Sequence, residues 1–491
     1  MRPLISEVET TATPDSLAGR VLHRDQAAQS LVLLRGGGDF PQARYSFVTA
    51  NPFMLFRSFG SRCEIMRPAP AGRHVQFGNP WQVLDALMSR CELLDELDLP
   101  FPLGGCFGFW GYDLKNFTEP KLPRRALNDL ELPDCHVGFY DSVVIFDHQL
   151  GKTFIVSTGL DADGSRSESR ASAQFDFWNE ALAQSTREVW SRPRSTDRQG
   201  NSRMLSNVTR EEFVRAVRRA QELIRGGDIY QVNLSQRLTA AGDCSGWEFF
   251  GQLNTASPAP FSAFLDCDDF QIASSSPEQF LRLSGPHIVT RPIKGTRARD
   301  ADPTRDAQLA YELQTSAKEL AELIMITDLL RNDLGKVCDF GSVQVPELAR
   351  LEKFAQVQHL VSTIEGRLRR GVTHFAALAS CFPGGSITGA PKFRAMQIID
   401  ELEPVARGPY CGCHGYLGFN RESQLSITIR TAVCAPNKIH FNVGAGIVAD
   451  SNPEMEYEET LAKGAGFLAA VKNANWAPPA RITPKNHRAM D

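Results

Sequence analysis

A polar stretch between residues 161 and 207, rich in Ser, Arg, Asp and Gln, divides this 491-residue chain into two parts of different texture. The chain is too long for one small core, so apolar surface must be buried on both sides of that stretch. Residues 1–160 mix short apolar runs, Leu31 to Leu34 and Val143 to Phe146, with Gly-rich turns at Gly104-Gly105 and Gly108 to Gly111. That pattern predicts a strand-rich region with some helices. Within 161–207 a helix fits between Ala173 and Trp190, and the run Ser191 to Asp197 reads as an exposed linker. Residues 208–472 form the dense remainder, and 473–491, with Pro478, Pro479 and Pro484, read as a flexible tail.

Composition excludes several classes. A net charge of −4 leaves no electrostatic footprint for nucleic acid or an anionic membrane. No apolar run reaches the roughly 18 residues that a membrane span needs. The start, Met1 to Glu7, turns polar and acidic before a signal-peptide core develops. Eleven cysteines are too sparse for a disulfide scaffold, and the expected setting is the cytoplasm with reduced thiols.

Helix signals are clearest in the second half. Thr209 and Glu212 form a capping box before Phe213, Ala216, Val217, Ala220 and Ile224, and Gly226-Gly227 supplies the stop. A second helix is expected over Ser316 to Leu330. A third follows Pro391, and a fourth follows Pro453 toward Phe467. Alternation over Ser426 to Val433 and Ile439 to Val443 predicts strands, the first carrying Arg430.

Five features could carry chemistry. Glu319 with Glu322, and Glu456 with Glu459, stand three apart, so each pair shares a helix face. If the two faces meet, four carboxylates need a cation, and all-oxygen ligation suits Mg²⁺; either pair alone is more often simply a solvated helix face. Gly384 to Lys392 is a Gly-rich loop opening a helix, a natural site for a carboxylate. It lacks the Lys-Ser/Thr that a phosphate-binding loop needs after its last Gly, and a tight turn would also explain the glycines. Lys294 lies between Pro292 and Gly295 and could attack as a neutral amine, or be a surface charge. Glu278, after Ser274-Ser275-Ser276-Pro277, is a general acid if buried, or a turn residue. Arg430 and Lys463 supply positive charge, although Lys463 also fits as the i+4 partner of Glu459. His359 alternates with apolar neighbours, as structural strand histidines do. Gly412-Cys413-His414-Gly415 does not fit the nucleophile elbow of a glutamine amidotransferase, and Cys411, Cys413 and His414 lack a second ligand pair at zinc spacing.

Read in order, Pro292 to Thr296, Thr327 to Gly335, Gly384 to Lys392, Ser426 to Thr431 and Gly444 to Thr460 resemble the chorismate-utilising enzymes. That family includes anthranilate synthase component I, aminodeoxychorismate synthase component I, isochorismate synthase and salicylate synthase. The resemblance covers about residues 208–470, and Arg44 to Phe47 with Gly104 to Asp113 extend it to the amino-terminal region of the first two members. It implies an α/β fold like that of anthranilate synthase component I, with two facing β-sheets and helices packed outside. By the same resemblance Glu322 and Glu459 would hold Mg²⁺, with Glu319 and Glu456 nearby or acting through water. Chorismate would be bound by Gly295, Thr296, Thr388, Tyr416, Arg430, Lys463 and the run Gly444, Ala445 and Gly446.

Glu278 would act as acid on the C4 hydroxyl, and His359 matches the histidine serving enolpyruvate elimination in the anthranilate branch. Many relatives read Glu-His where this chain reads Glu322-Leu323. Position 294 bears on the branch: anthranilate synthases carry Ala there, and the aminodeoxychorismate branch carries Lys, as here. The resemblance therefore implies amination of chorismate at C4 through a covalent Lys294 intermediate, with ammonia from a separate glutamine amidotransferase subunit. The alternatives are the anthranilate branch and a non-catalytic chorismate-binding protein. Some relatives hold tryptophan near the positions matching Leu33 to Arg35, Ser46 and Pro260 to Ser262; the acidic-serine form of the first motif is missing, which leaves that binding open.

Overall fold

The computed structural model describes residues 2–473 apart from 24–28, 38–39, 41, 69–71, 95–97, 186–203, 242–244 and 355–356. The described part is built on two antiparallel sheets of twelve strands each. The first runs from Leu4–Val8 through Lys152–Ser157, Ser142–Asp147, Tyr45–Thr49 and Val32–Arg35 to Phe261–Asp266. It continues through Gln271–Ser276, Thr431–Ala435 and Lys438–Ile447 to Gln231–Ala241. The second runs from Ile293–Ala298 through Val357–Arg367, His287–Thr290, Gln279–Ser284, Glu422–Ile427 and Cys413–Gly418. Beyond these it is completed by Gly105–Trp110, Cys135–Tyr140 and Met54–Phe59.

Both sheets are thus seamed from the two parts of the chain. Leu34 pairs with Ala263 in one, and Cys413 with Trp110 in the other. Residues 1–160 are structurally continuous with 208–472. The sheets face each other across one apolar core, where Phe47 of the first sets its ring against Tyr416 of the second, centroids 4.9 Å apart. Helices cover the outside: Leu17, Val21, Trp178, Phe249, Phe250 and Phe467 pack on the outer face of the first sheet. Among the described residues no helix is long and apolar enough to cross a membrane. The ten described cysteines are all free and buried.

The predicted helices follow their signals, with boundaries set by caps. The Thr209–Glu212 capping box opens Arg210–Arg225. Ser316 caps Ala317–Gly335 by accepting from the Glu319 amide. Pro391 is the residue before Lys392–Leu402 and not its first helical position. Asn452 caps Pro453–Lys463, which stops at Gly464, and a separate helix, Ala465–Asn473, carries Phe467. In the expected linker, Glu168–Ala183 is helical from a Ser167 cap, earlier than its apolar pattern suggested. The end of that segment and the tail lie outside the described residues.

The main departure concerns Ser426 to Val433. It is not one strand. Glu422–Ile427 belongs to the second sheet and Thr431–Ala435 to the first, and the chain crosses between sheets at Thr428 to Arg430. Arg430 takes a left-handed backbone, φ 52°, at this turn. A second crossing, at Pro277-Glu278, joins Gln271–Ser276 of the first sheet to Gln279–Ser284 of the second. The crossings lie side by side: the amide of Ser275 donates to the carbonyl of Arg430, and that of Ile427 to the carbonyl of Glu278, each at 3.0 Å. Two charged candidates are therefore set at adjoining breaks in the sheets, where a side chain is not committed to either pleated face.

Candidate active site

The site grows from these crossings. Glu278 is 6% exposed. Burial pushes its carboxyl up to about 7, against the opposing pull of a hydrogen bond with Ser386 and the charge of Lys294. Lys294 stands on the strand Ile293–Ala298, one residue before a register shift that re-aims its neighbours. That shift falls at Gly295, whose φ of +66° suits glycine. A Cβ there would lie 2.7 Å from Leu313 Cδ1 and 3.1 Å from Glu319 Oε2, so a side chain would collide with the helix layer.

The half-buried Lys294 ammonium has no hydrogen-bond or ion-pair partner among the described residues. Its charge also acts on Glu322. Burial raises the Glu322 carboxyl, Lys294 and Lys318 lower it, and Glu319 and Glu459 raise it further. The charge of Glu459 is thus felt at Glu322 across the space between the two helices. The expected convergence of all four carboxylates is not found: no three His, Cys, Asp or Glu side chains gather as metal ligands among the described residues. Three of the four carboxylates have protein partners: Glu459 pairs with Lys463 at 2.7 Å, and the other two are Glu456 and Glu319. Glu456 accepts from Ser451 at 2.6 Å, and Glu319 from Arg297 at 3.5 Å. Leu323 is fully buried with Leu313 and Leu360 in a small cluster under the helix.

The other wall is basic. Lys463 bridges Glu459 at 2.7 Å and the carbonyl of Gly444 at 3.0 Å. Arg430 donates from Nη1 to the carbonyl of Lys463 at 2.7 Å, and its burial depresses its pKa. Arg430 also acts on His359, which burial holds down to about 4, so that the imidazole is neutral. His359 Nδ1 lies 2.9 Å from Thr296 Oγ1. Glu278, Lys294, Glu322, Glu459, Lys463, Arg430 and His359 are linked by contact or charge into one constellation in which acidic and basic groups are interleaved. Such a site can hold a small anion between an acid, an amine and cationic groups.

Residues 46–469 match the family model of the chorismate binding enzyme. The chain belongs to the chorismate-binding enzyme family. Two branches are represented among its relatives. It is 42% identical over 436 residues to aminodeoxychorismate synthase component 1 of Escherichia coli, covering 88% of this chain and 91% of that one. It is 38% identical over 436 residues to anthranilate synthase component 1 of Acetivibrio thermocellus, 88% of each. Among solved structures, anthranilate synthase component I from Streptococcus pneumoniae superposes with a TM-score of 0.76 at 29% identity, over 96% of this chain and 100% of that one. The expected fold, two facing sheets with outer helices, is the fold of the family.

Two residues expected to bind the family's substrate sit differently. Thr388 is fully buried and its hydroxyl donates back to the carbonyls of Gly384 and Gly385, so it fastens its own turn. Tyr416 lies in the intersheet core, stacked on Phe107 at 5.3 Å and sensing Tyr45, Arg282 and Glu422, none of them in the constellation. The tyrosine beside the site is Tyr410. A Cβ on Gly444 would lie 2.8 Å from its hydroxyl. Spacing along the chain could not separate the two tyrosines; the signal available was that Tyr416 sits in a run of strand residues, while Tyr410 follows Arg407-Gly408-Pro409 in a turn. Lys392 is committed elsewhere: its ammonium pairs with Asp333 and donates to the carbonyls of Cys381 and Pro383. The loop before it is therefore stapled to the helix Ala317–Gly335.

Proposed function

We propose that this chain aminates chorismate at C4, as the chorismate-converting component of an aminodeoxychorismate synthase. The observation carrying the reading is the unpaired Lys294 ammonium, whose charge acts on both Glu278 and Glu322. In its neutral form Lys294 Nζ adds to C2 of the ring, the ring double bond shifts, and the C4 hydroxyl departs as water with the proton of Glu278. A carboxyl poised near pH 7 is suited to donate that proton and then take one back. Ammonia next adds at C4, the double bond shifts back, Lys294 is expelled from C2, and the Glu278 carboxylate accepts the proton released by the incoming nitrogen. Water leaves and ammonia enters, so atoms and charge balance.

Arg430 and Lys463 hold the substrate carboxylates against the Gly444–Gly446 strand, and Tyr410 closes that side. Tethering the amine beside the bound ring replaces a bimolecular attack by an internal one. Glu322 and Glu459, hard oxygen donors whose charges act across the space between two helices, would hold Mg²⁺, with Glu319 and Glu456 one helical turn away. Bound there, the ion would neutralise the carboxylate on the ring. Ammonia is supplied by a glutamine amidotransferase partner, in keeping with the component naming of the relatives.

A second reading, the anthranilate branch, is favoured by relatives of similar identity and by the neutral His359 at the site. Incubation with chorismate, Mg²⁺ and ammonium separates them: aminodeoxychorismate as the main product supports the first, and fluorescent anthranilate overturns it.

A further inference from the structure

Behind the basic wall lies a buried ion pair that touches three pieces of it. Arg407 and Glu403 are 4% and 7% exposed. Arg407 donates from Nε and Nη2 to both oxygens of Glu403, at 2.8 and 2.7 Å. Its remaining donors reach the carbonyl of Ile387 at 3.2 Å and that of Asn233 at 2.7 Å. Its guanidinium lies over two rings, 4.8 Å from the centroid of Tyr112 and 5.7 Å from that of Tyr410. Glu403 in turn accepts from the amide and hydroxyl of Ser235, at 2.8 and 3.0 Å.

Each contact ends beside the substrate side of the pocket. Ile387 precedes Thr388, whose carbonyl accepts from the Asn233 amide at 2.8 Å. Asn233 is the strand partner of Gly446, and Ser235 of Gly444. Tyr410 abuts Gly444. One side chain therefore fixes the turn, the strand and the tyrosine against each other. A planar fork is required to serve a carboxylate and two carbonyls while lying flat on two rings; an ammonium cannot reproduce it.

We propose that Arg407, held by Glu403, is a positioning residue that sets the carboxylate-binding wall for chorismate without touching the substrate. This rests on the chorismate reading above. The consequence is selective: a loosened wall weakens ground-state binding, whereas Lys294, on the strand Ile293–Ala298 of the second sheet, keeps its geometry.

The test uses Arg407→Lys and Glu403→Gln in the full chain, each checked for a wild-type circular dichroism spectrum and a cooperative melt. Calorimetric titration with chorismate and Mg²⁺ gives Kd, and steady-state assay with ammonium gives KM and kcat. The expected result is a rise in Kd and KM of about tenfold or more with kcat changed less than about threefold, a split that mere loss of folded protein would not produce. A folded variant with wild-type Kd, or one losing kcat at constant KM, overturns the inference. If Arg407→Lys does not fold, Glu403→Gln decides, because it keeps the arginine and its two carbonyl contacts. If neither folds, the pair is structural alone and the inference falls. Failure of the wild type to bind chorismate would instead overturn the chorismate reading.

Discussion

Thr296 and His359 are direct partners on neighbouring strands, with Oγ1 of one 2.9 Å from Nδ1 of the other. The imidazole is buried and neutral, its pKa held at about 4. Glu278, by contrast, is raised to about 7. The alkaline limb of kcat/KM near pH 7 should therefore belong to Glu278, whose acid form is the active one. His359→Asn should leave that limb in place; a limb that moves with this substitution would assign it to the histidine.

Lys294→Ala should reduce aminodeoxychorismate formation to background while chorismate still binds, since the positive wall is elsewhere. Product analysis together with calorimetric Kd checks both halves. A fully active variant would refute the covalent role.

Glu278→Gln should lower kcat by about 10²–10⁴-fold and stabilise the protein at pH 8. The folded pKa exceeds the unfolded one, so the folded state keeps the proton between about 4.5 and 7, and stability falls as pH rises across that window. Above it the buried carboxylate costs about 3 kcal/mol, which glutamine removes. Urea melts at pH 8 and pH 4.5 should show the gain only at the higher pH.

Asp333→Asn should destabilise by about 3–5 kcal/mol, because it strands the Lys392 ammonium at a site where Asp333 is 1% exposed. Thermal melts measure it. A change below about 1 kcal/mol would mean that the staple between the Ala317–Gly335 helix and the Gly385–Thr388 turn is dispensable.

Acid should weaken the fold. Burial depresses His359, His374, His414 and His440 to about 4, and His136 to about 3. Both ring nitrogens of His136 lack partners. Below pH 6.5 the unfolded chain takes up protons that the folded chain refuses, so stability falls toward pH 4. His136→Leu should reduce that slope by about one proton, roughly 1.4 kcal/mol per pH unit. An unchanged slope would show that this imidazole charges in the folded state.

How much of this was legible in the sequence depended on whether a signal was local. Capping at Thr209 and Ser316 is a contact between near neighbours, and those helices begin where their residues say. The helices Gly246–Ala256, with a Ser245–Glu248 capping box, and Pro303–Thr315, capped by Asp302, carry the same kind of signal and were not anticipated. The break at Arg430 was hidden because alternation continues in phase on both sides while the chain changes sheets. The approach of Glu322 to Glu459 could be reasoned from spacing only as a possibility. The hydrogen bonds of Glu319 with Arg297 and of Glu456 with Ser451 join residues whose placement no spacing rule gives. The same holds for Tyr410 over Tyr416, since neither periodicity nor motif shows which ring faces the core.

The seam between early and late strands has a consequence for synthesis. Val32–Arg35 must wait for Phe261–Asp266, and Gly105–Trp110 for Cys413–Gly418, before either sheet can close. A nascent chain emerging from the ribosome will carry exposed strand edges through most of its translation, and ordering must come late and nearly all at once.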